Sequence, residues 1–209
     1  MKQIGFLVMT VISCNSQEVK FDEQQLYPQL EYFKSKVPIP NGFTQSRVTL
    51  VEVDQKNAYL FRYEKPINNG LLQEHFSFIV TVDKPYRILG FSCMDVKYAD
   101  KELLSEARVR EIATAFLLNM DADLARNLEN LWIESHGESV IIDGKEQRIV
   151  GMKYKCYRKS HNDYAWVIVG HDASVITFER DIIWNNAMSV RVTNAWLHDQ
   201  WVLNNAKEL

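Results

Sequence analysis

Residues 76–83 read FSFIVTVD and residues 164–171 read YAWVIVGH, and these two segments decide the fold that the sequence predicts. Phe76, Phe78 and Val80 alternate with other residues at a period of two, which is typical of a β-strand. The second segment is apolar over most of its length, as expected of a strand covered on both faces. The two segments lie 88 residues apart and match in character, so they predict an internal repeat.

The flanking sequence extends both copies of this repeat. Alternating residues from Thr49 to Tyr63 predict two strands before the first segment, and Asp143-Gly144 predicts a hairpin before the second. In each copy a turn, a strand and a helix follow. The sequence therefore predicts an α+β fold with antiparallel sheets and packed helices, arranged as two tandem modules of about four strands and one helix. An antiparallel α+β chain without a duplication is the alternative.

Boundaries follow from this organisation. A helix is predicted over residues 21–36, with Pro28 at its start or kinking it, and a last helix over residues 188–205. The expected units are a signal peptide at residues 1–13 and a tether with the N-terminal helix at residues 14–42. A first sheet-plus-helix module is expected at residues 43–120 and a second one at residues 121–209.

The length, composition and net charge limit the size of the core and the classes of function that fit this chain. The chain has 209 residues, 46% of them hydrophobic, and a formal net charge of −3. This length supports one full core or two small ones, and the charge argues against a general nucleic-acid binder, which would be basic. Cys93 and Cys156 lie in apolar strand-like runs, where a buried free thiol is as acceptable as a disulfide.

The first residues have the pattern of an export signal. Lys2 precedes a short apolar core that ends in Val11-Ile12-Ser13-Cys14. This pattern resembles the lipobox of bacterial lipoproteins. The resemblance implies that Cys14 is lipidated and becomes the mature N-terminus, so that the protein is anchored to a bacterial membrane and faces the periplasm or the exterior. An exported or cytosolic protein without this anchor is the alternative.

Two charged residues interrupt apolar faces near the C-terminus. Arg180 interrupts the buried face of a strand, and Asp199 falls within the apolar arc of the predicted last helix. A buried charge without a partner costs several kcal/mol, and the Arg fork suits a carboxylate. We therefore expect an ion pair between them, which either fixes the helix to the strand or lines a small polar pocket.

Leu197 and Trp201 lie on the opposite side of that predicted helix. If exposed, they would form an apolar stripe for docking a protein partner. His198-Asp199 matches the His-Asp dipeptide of metal-dependent phosphohydrolases, but the other histidines fall in strands and turns rather than on helices. No catalytic motif, cofactor motif or metal-ligand spacing is present, so no catalytic residue, cofactor or metal is predicted.

These observations favour a non-enzymatic envelope lipoprotein that binds another protein, as an inhibitor, an immunity protein or an accessory subunit. A structural or assembly lipoprotein is one alternative. The other is a hydrolase or ligand-binding enzyme with a site near Arg180, His198 and Asp199.

Overall fold

The computed structural model describes residues 23–205, and β-strands are the main regular structure of this range. Its α-helices are α1 (Glu23–Lys34), α2 (Glu106–Met120), α3 (Ala122–Arg126) and α4 (Asp199–Asn205). Its strands are β1 (Thr44–Val53), β2 (Lys56–Glu64), β3 (His75–Thr81), β4 (Ile88–Met94), β5 (Glu129–Ile142), β6 (Lys145–Arg158), β7 (Asp163–Val169), β8 (Val175–Ile182), β9 (Trp184–Asn185) and β10 (Val190–Arg191).

Eight of these strands form one antiparallel sheet in the order β1-β2-β3-β4-β8-β7-β6-β5. Two four-stranded meanders are therefore joined edge to edge through β4 and β8, where Phe91 lies opposite Phe178. From this junction outward, each meander runs from its last strand to its first, β4 to β1 on one side and β8 to β5 on the other. In the two outermost pairs a β-bulge shifts the register, between Gln45 and Arg47 in β1 and between Asn130 and Trp132 in β5.

The predicted fold class is wrong. The expected α+β chain with separate four-stranded sheets is instead mostly β, because the last strands of the two meanders pair with each other and make one sheet. Apart from Arg180, both strands are apolar on the face that carries Phe91 and Phe178. As two unpaired edges they would expose apolar side chains together with backbone N–H and C=O groups. The longer helices also precede the strands of their meander rather than follow them.

One row of buried side chains crosses the whole sheet and forms the centre of the core. The row takes one residue from each strand in register: Val48, Phe61, Phe78, Phe91, Phe178, Val167, Tyr154 and Ile133. Helices α1, α2 and α3 cover this face. Phe33 of α1 stacks on Phe78, with ring centroids 3.7 Å apart, and Phe78 stacks on Phe61 at 4.6 Å. Burial of these large rings supplies much of the stability of the fold.

The first predicted helix is confirmed in the described part of the chain, since α1 runs from Glu23 to Lys34 and contains Pro28. The last one is mostly wrong. Only Asp199–Asn205 is helical, and β9 and β10 form a small hairpin before it. The reason is local: the side-chain oxygen of Asn185 accepts hydrogen bonds from the backbone N–H groups of Ala187 and Met188, which closes a turn instead of a helix.

The C-terminal segment crosses the face of the sheet opposite the helices. Trp196 and Leu197 pack there against Val51, Ile79 and Leu89. Gly90 allows this close approach, because a Cβ at that position would lie 2.8 Å from Leu197 Cδ1. The sheet also curls over this face, since Ile141 N–H of β5 donates to the carbonyl of Leu72 in the loop after β2. No helix among residues 23–205 is long and apolar enough to cross a membrane.

Candidate functional site

The strands that carry the phenylalanine row carry polar residues on their other face. Arg62 lies opposite Ser77, Ser77 opposite Ser92, and Ser92 opposite Thr177, so a polar row runs across β2, β3, β4 and β8. All four residues are buried, as is Glu179 two residues further along β8. Side chains alternate between the faces of a strand, so an apolar face toward the helices leaves this polar face toward the C-terminal segment.

Arg62 and Asp199 form the strongest ion pair of this polar interior. Arg62 Nη1 and Nη2 donate to the two carboxylate oxygens of Asp199 at 2.7 and 2.9 Å, and Leu72 N–H donates to Asp199 Oδ2 at 2.7 Å. Burial raises the pKa of the Asp199 carboxyl, but its interactions with His75, with Arg62 and with the Leu72 N–H outweigh burial and lower it overall. The pair ties α4 to β2 and to the loop that follows β2.

Arg180, the partner that the sequence suggests for Asp199, lies elsewhere. Its guanidinium donates to Asp121 between α2 and α3 at 2.6 Å, and it contacts Asp181 at 3.4 Å. Arg180 and Glu179 are consecutive on β8 and so face opposite sides of the sheet, and Glu179 faces the C-terminal segment. The structure therefore does not bring Arg180 and Asp199 together. Each residue is buried and paired, but on different faces.

His198 lies between two carboxylates. Its Nδ1 is 3.0 Å from Glu138 Oε2 and its Nε2 is 2.9 Å from Glu179 Oε1, and Arg191 Nη2 donates to the other oxygen of Glu179 at 2.6 Å. Burial lowers the pKa of His198, but the two glutamates raise it to about 10 overall. The pKa of Glu179 falls to about 2 because Arg191 and His198 outweigh its burial, and the pKa of Glu138 is also lowered. His198 is therefore an imidazolium at neutral pH.

His75 is buried beside this group and stays neutral. Its Nδ1 donates to the carbonyl of Gln73 at 2.9 Å, and Asp199 Oδ2 lies 3.5 Å from the same nitrogen. Burial and the positive charge of Arg62 lower the pKa of His75. With the proton on Nδ1, the other ring nitrogen is an acceptor. Nε2 is buried and has no hydrogen-bond partner among the described residues.

These groups surround a cavity of about 350 Å³ that the loop after β2, the curled end of β5 and the C-terminal segment enclose. His75, Glu138 and His198 line it, together with Met94 and Val140. Glu138 Oε1 is buried without a hydrogen bond of normal length, and His136 Nε2 lies 3.6 Å from it. Two residues of the lining, His75 and Glu138, thus each carry a buried acceptor without a hydrogen bond, Nε2 and Oε1. Buried polar atoms without a partner are rare in native proteins, so both require an explanation.

The histidines do not form a metal centre, since no group of three or more His, Cys, Asp or Glu residues in the described range is arranged to hold a metal ion. The described residues also provide no nucleophile that His75 could activate as a base. No hydroxyl or thiol within residues 23–205 lies within hydrogen-bond distance of His75 Nε2. Cys93 and Cys156 are buried free thiols, and burial raises the pKa of each to about 12.

The predicted docking stripe is not exposed. Leu197 is 3% exposed because it packs against the sheet, and Trp201 is half-buried with its ring in an edge-to-face contact with Trp196. Most exposed apolar side chains of this region lie instead on and beside the β9–β10 hairpin, namely Ile183, Met188, Val190 and Val192, and Leu203 of α4 is exposed as well. Cys14, the predicted lipidation site, lies outside the described residues.

Sequence reasoning found Asp199 and His198 but missed Arg62, His75 and Glu138. Arg62 had a usable signal, because it is the lone charge between Phe61 and Tyr63 within a β-strand. His75 and Glu138 had no signal that hydrophobic periodicity or a sequence motif could reveal. They join the site only because the sheet curls and brings β5 over β3.

The two candidate partners of Asp199 can be separated by double-mutant cycles. Asp199→Asn removes one of the two carboxylates that pair with Arg62, the other being Glu64 at 2.7 Å, so we expect a loss of about 1.5–3 kcal/mol in the free energy of unfolding. In a cycle of Arg62→Met and Asp199→Asn, the two effects should be strongly non-additive. A cycle of Arg180→Met and Asp199→Asn is the control and should be additive. A large coupling in the second cycle, measured by urea unfolding, would contradict the assignment.

The pH dependence of stability tests the position of His198. Its folded pKa is about 10 and its ordinary value is 6.5, so its stabilising effect is complete below pH 6.5 and is lost as the pH rises through about 10. The difference in unfolding free energy between the wild type and His198→Gln should therefore shrink between pH 6.5 and 10. His161→Gln, which changes an exposed histidine, is the control. Parallel profiles for the wild type and His198→Gln over this range would show that the two carboxylates do not hold the proton.

Comparison with protein-family models, with curated protein sequences and with solved structures finds no match to this chain. The function therefore has to be argued from the site itself.

Proposed function

We propose that this protein binds a small molecule rich in hydrogen-bond donors in the cavity between β3, β5 and α4. One observation carries the proposal: His75 and Glu138 line the same cavity, and each has a buried acceptor, Nε2 and Oε1, that forms no hydrogen bond of normal length with the described residues. A ligand with N–H or O–H groups at both points would satisfy them. The volume of about 350 Å³ lies within the range of small-ligand sites.

The charges around the cavity favour a neutral or singly positive ligand. Arg191 and His198 together balance Glu179 and Glu138, whereas the single positive charge of Arg62 is shared between Asp199 and Glu64. An anion would meet Glu138 and the lone pair of His75, and both interactions are unfavourable. A primary ammonium or a hydroxylated compound fits both acceptors.

Binding is a better description than catalysis for this arrangement. His75 has a lowered pKa, which makes it a weak base, and no nucleophile in the described part of the chain lies within hydrogen-bond distance of its free nitrogen. The ion pairs fix the surrounding side chains before a ligand arrives, and such preorganisation favours affinity.

Paired probes test the proposal by isothermal titration calorimetry. Butylamine should bind and tetramethylammonium should not, because the two share a charge but only butylamine has N–H donors. In the same way, 1,4-butanediol should bind better than 1,2-dimethoxyethane. His75→Phe should weaken butylamine binding about tenfold, the cost of one hydrogen bond in a charged complex.

The control for these titrations is His161→Phe, in which an exposed histidine is changed. Equal affinity for the probes with and without donors would overturn the proposal. So would butylamine binding that His75→Phe and Glu138→Gln both leave unchanged.

The cellular address and the partner are proposals as well. The lipobox-like pattern at Val11-Ile12-Ser13-Cys14 supports a lipid-anchored envelope protein. A protein partner in the envelope would contact the exposed β9–β10 hairpin at Met188 and Val190 rather than Leu197 and Trp201.

Lipidation predicts a specific behaviour of the chain in a bacterial host. The wild type should sediment with membranes and yield an acylated N-terminal Cys14 by mass spectrometry. Cys14→Ser should release the protein from the membrane fraction, because the acyl chains supply the anchor. Cys93→Ser is the control, since that thiol is buried. A wild-type protein with an intact initiator Met and no acyl group would contradict the lipidation.

A further inference from the structure

A second cavity lies on the other face of the sheet, between the chain that follows α1, helix α2 and the loop after β4. Its volume is about 370 Å³. Four aromatic rings form much of its wall, those of Phe76, Phe91, Phe116 and Tyr98. Cys93, Val37 and Val175 also line it. It shares no lining residue with the cavity around His75.

Two lysines are the charged residues of this wall. Lys36 Nζ donates to the carbonyl of Asn119 at 2.8 Å, and Lys97 Nζ lies 4.5 Å from the centre of the Tyr98 ring and 3.4 Å from Asp172. No Asp or Glu of the described residues lines the cavity. Lys36 forms no ion pair within residues 23–205, and the Asn119 carbonyl is a neutral partner that leaves its charge uncompensated.

We propose that this cavity binds a single-chain amphiphilic carboxylate, a free fatty acid, with its chain against the phenylalanine rings and its carboxylate at Lys36 and Lys97. The argument is one of complementarity. The wall is apolar and aromatic, as in most small-ligand sites, and its charged groups are both cations. A carboxylate would give Lys36 the counter-charge that it lacks and would share Lys97 with Asp172.

A chain-length series tests the apolar part. Hexanoate, octanoate and decanoate should bind the purified protein with an affinity that rises about fourfold for each added methylene until the cavity is full. The titrations are done below the micelle concentration of each probe. Val175→Phe should abolish this binding by filling the cavity, and a thermal melt shows whether that variant is folded. An affinity that does not depend on chain length would overturn the proposal.

Charge-matched probes test the two lysines. Decanoate should bind more tightly than decanol, and decyltrimethylammonium should bind least. The double variant Lys36→Gln/Lys97→Gln should weaken decanoate about tenfold and leave decanol unchanged, because only the carboxylate loses its partners. Lys101→Gln/Lys159→Gln is the matched control, since both of its lysines are exposed.

Equal binding of the anionic and cationic probes would overturn the proposal, and so would a double variant that binds decanoate like the control. If Val175→Phe does not fold, the charge-matched probes alone decide. His75→Phe should leave decanoate binding unchanged, so a failure here is distinct from a failure at the cavity around His75.

Discussion

The bidentate ion pair between Arg62 and Asp199 holds the polar half of this molecule together. Asp199 begins the last helix, Arg62 lies in the second strand, and the same carboxylate accepts the N–H of Leu72, whose own carbonyl accepts from Ile141. One carboxylate thus connects the C-terminal segment, the loop after β2 and, through Leu72, the curled end of β5. The cavity exists because these three segments meet. A buried pair of this kind adds little net stability, but removing one member is costly, so it serves to fix one arrangement of the segments.

The polar face is closely balanced in charge, and this balance determines what it can recognise. His198 shares its two protons between Glu138 and Glu179, while Arg191 holds the remaining oxygen of Glu179. Most hydrogen-bonding capacity is therefore used inside the protein. Among the described residues of this face, what is left over is the two acceptors His75 Nε2 and Glu138 Oε1 and the hydroxyls of Ser77, Ser92 and Thr177. The helix-covered face is the opposite case: its cavity is apolar, and its charges are two lysines. One sheet thus presents two sites of contrasting chemistry.

The strands could be predicted from the sequence, whereas the way they assemble could not. Period-two alternation found the segment around Phe78, and a continuous apolar run found the segment around Trp166, because the burial of each strand is reflected in its own residues. The pairing of β4 with β8 depends on two edges that are distant in the chain, and no local pattern encodes it. Asp199 was correctly recognised as a buried charge, but its partner Arg62 lies 137 residues away, so proximity in sequence favoured Arg180. The last helix failed because side-chain hydrogen bonds of Asn185 outweigh an apolar periodicity.

The bulges in β1 and β5 bear on how the molecule behaves in solution. Joining the two meanders leaves only these two strands as the outer edges of the large sheet, and each carries an irregular step near one end. An extra residue twists an edge strand and interrupts its regular ladder, so an incoming chain cannot pair along its whole length. On β5, Ile141 already uses its N–H to bond Leu72. These irregular edges therefore hinder the edge strands of two copies of the protein from pairing with each other and starting an aggregate.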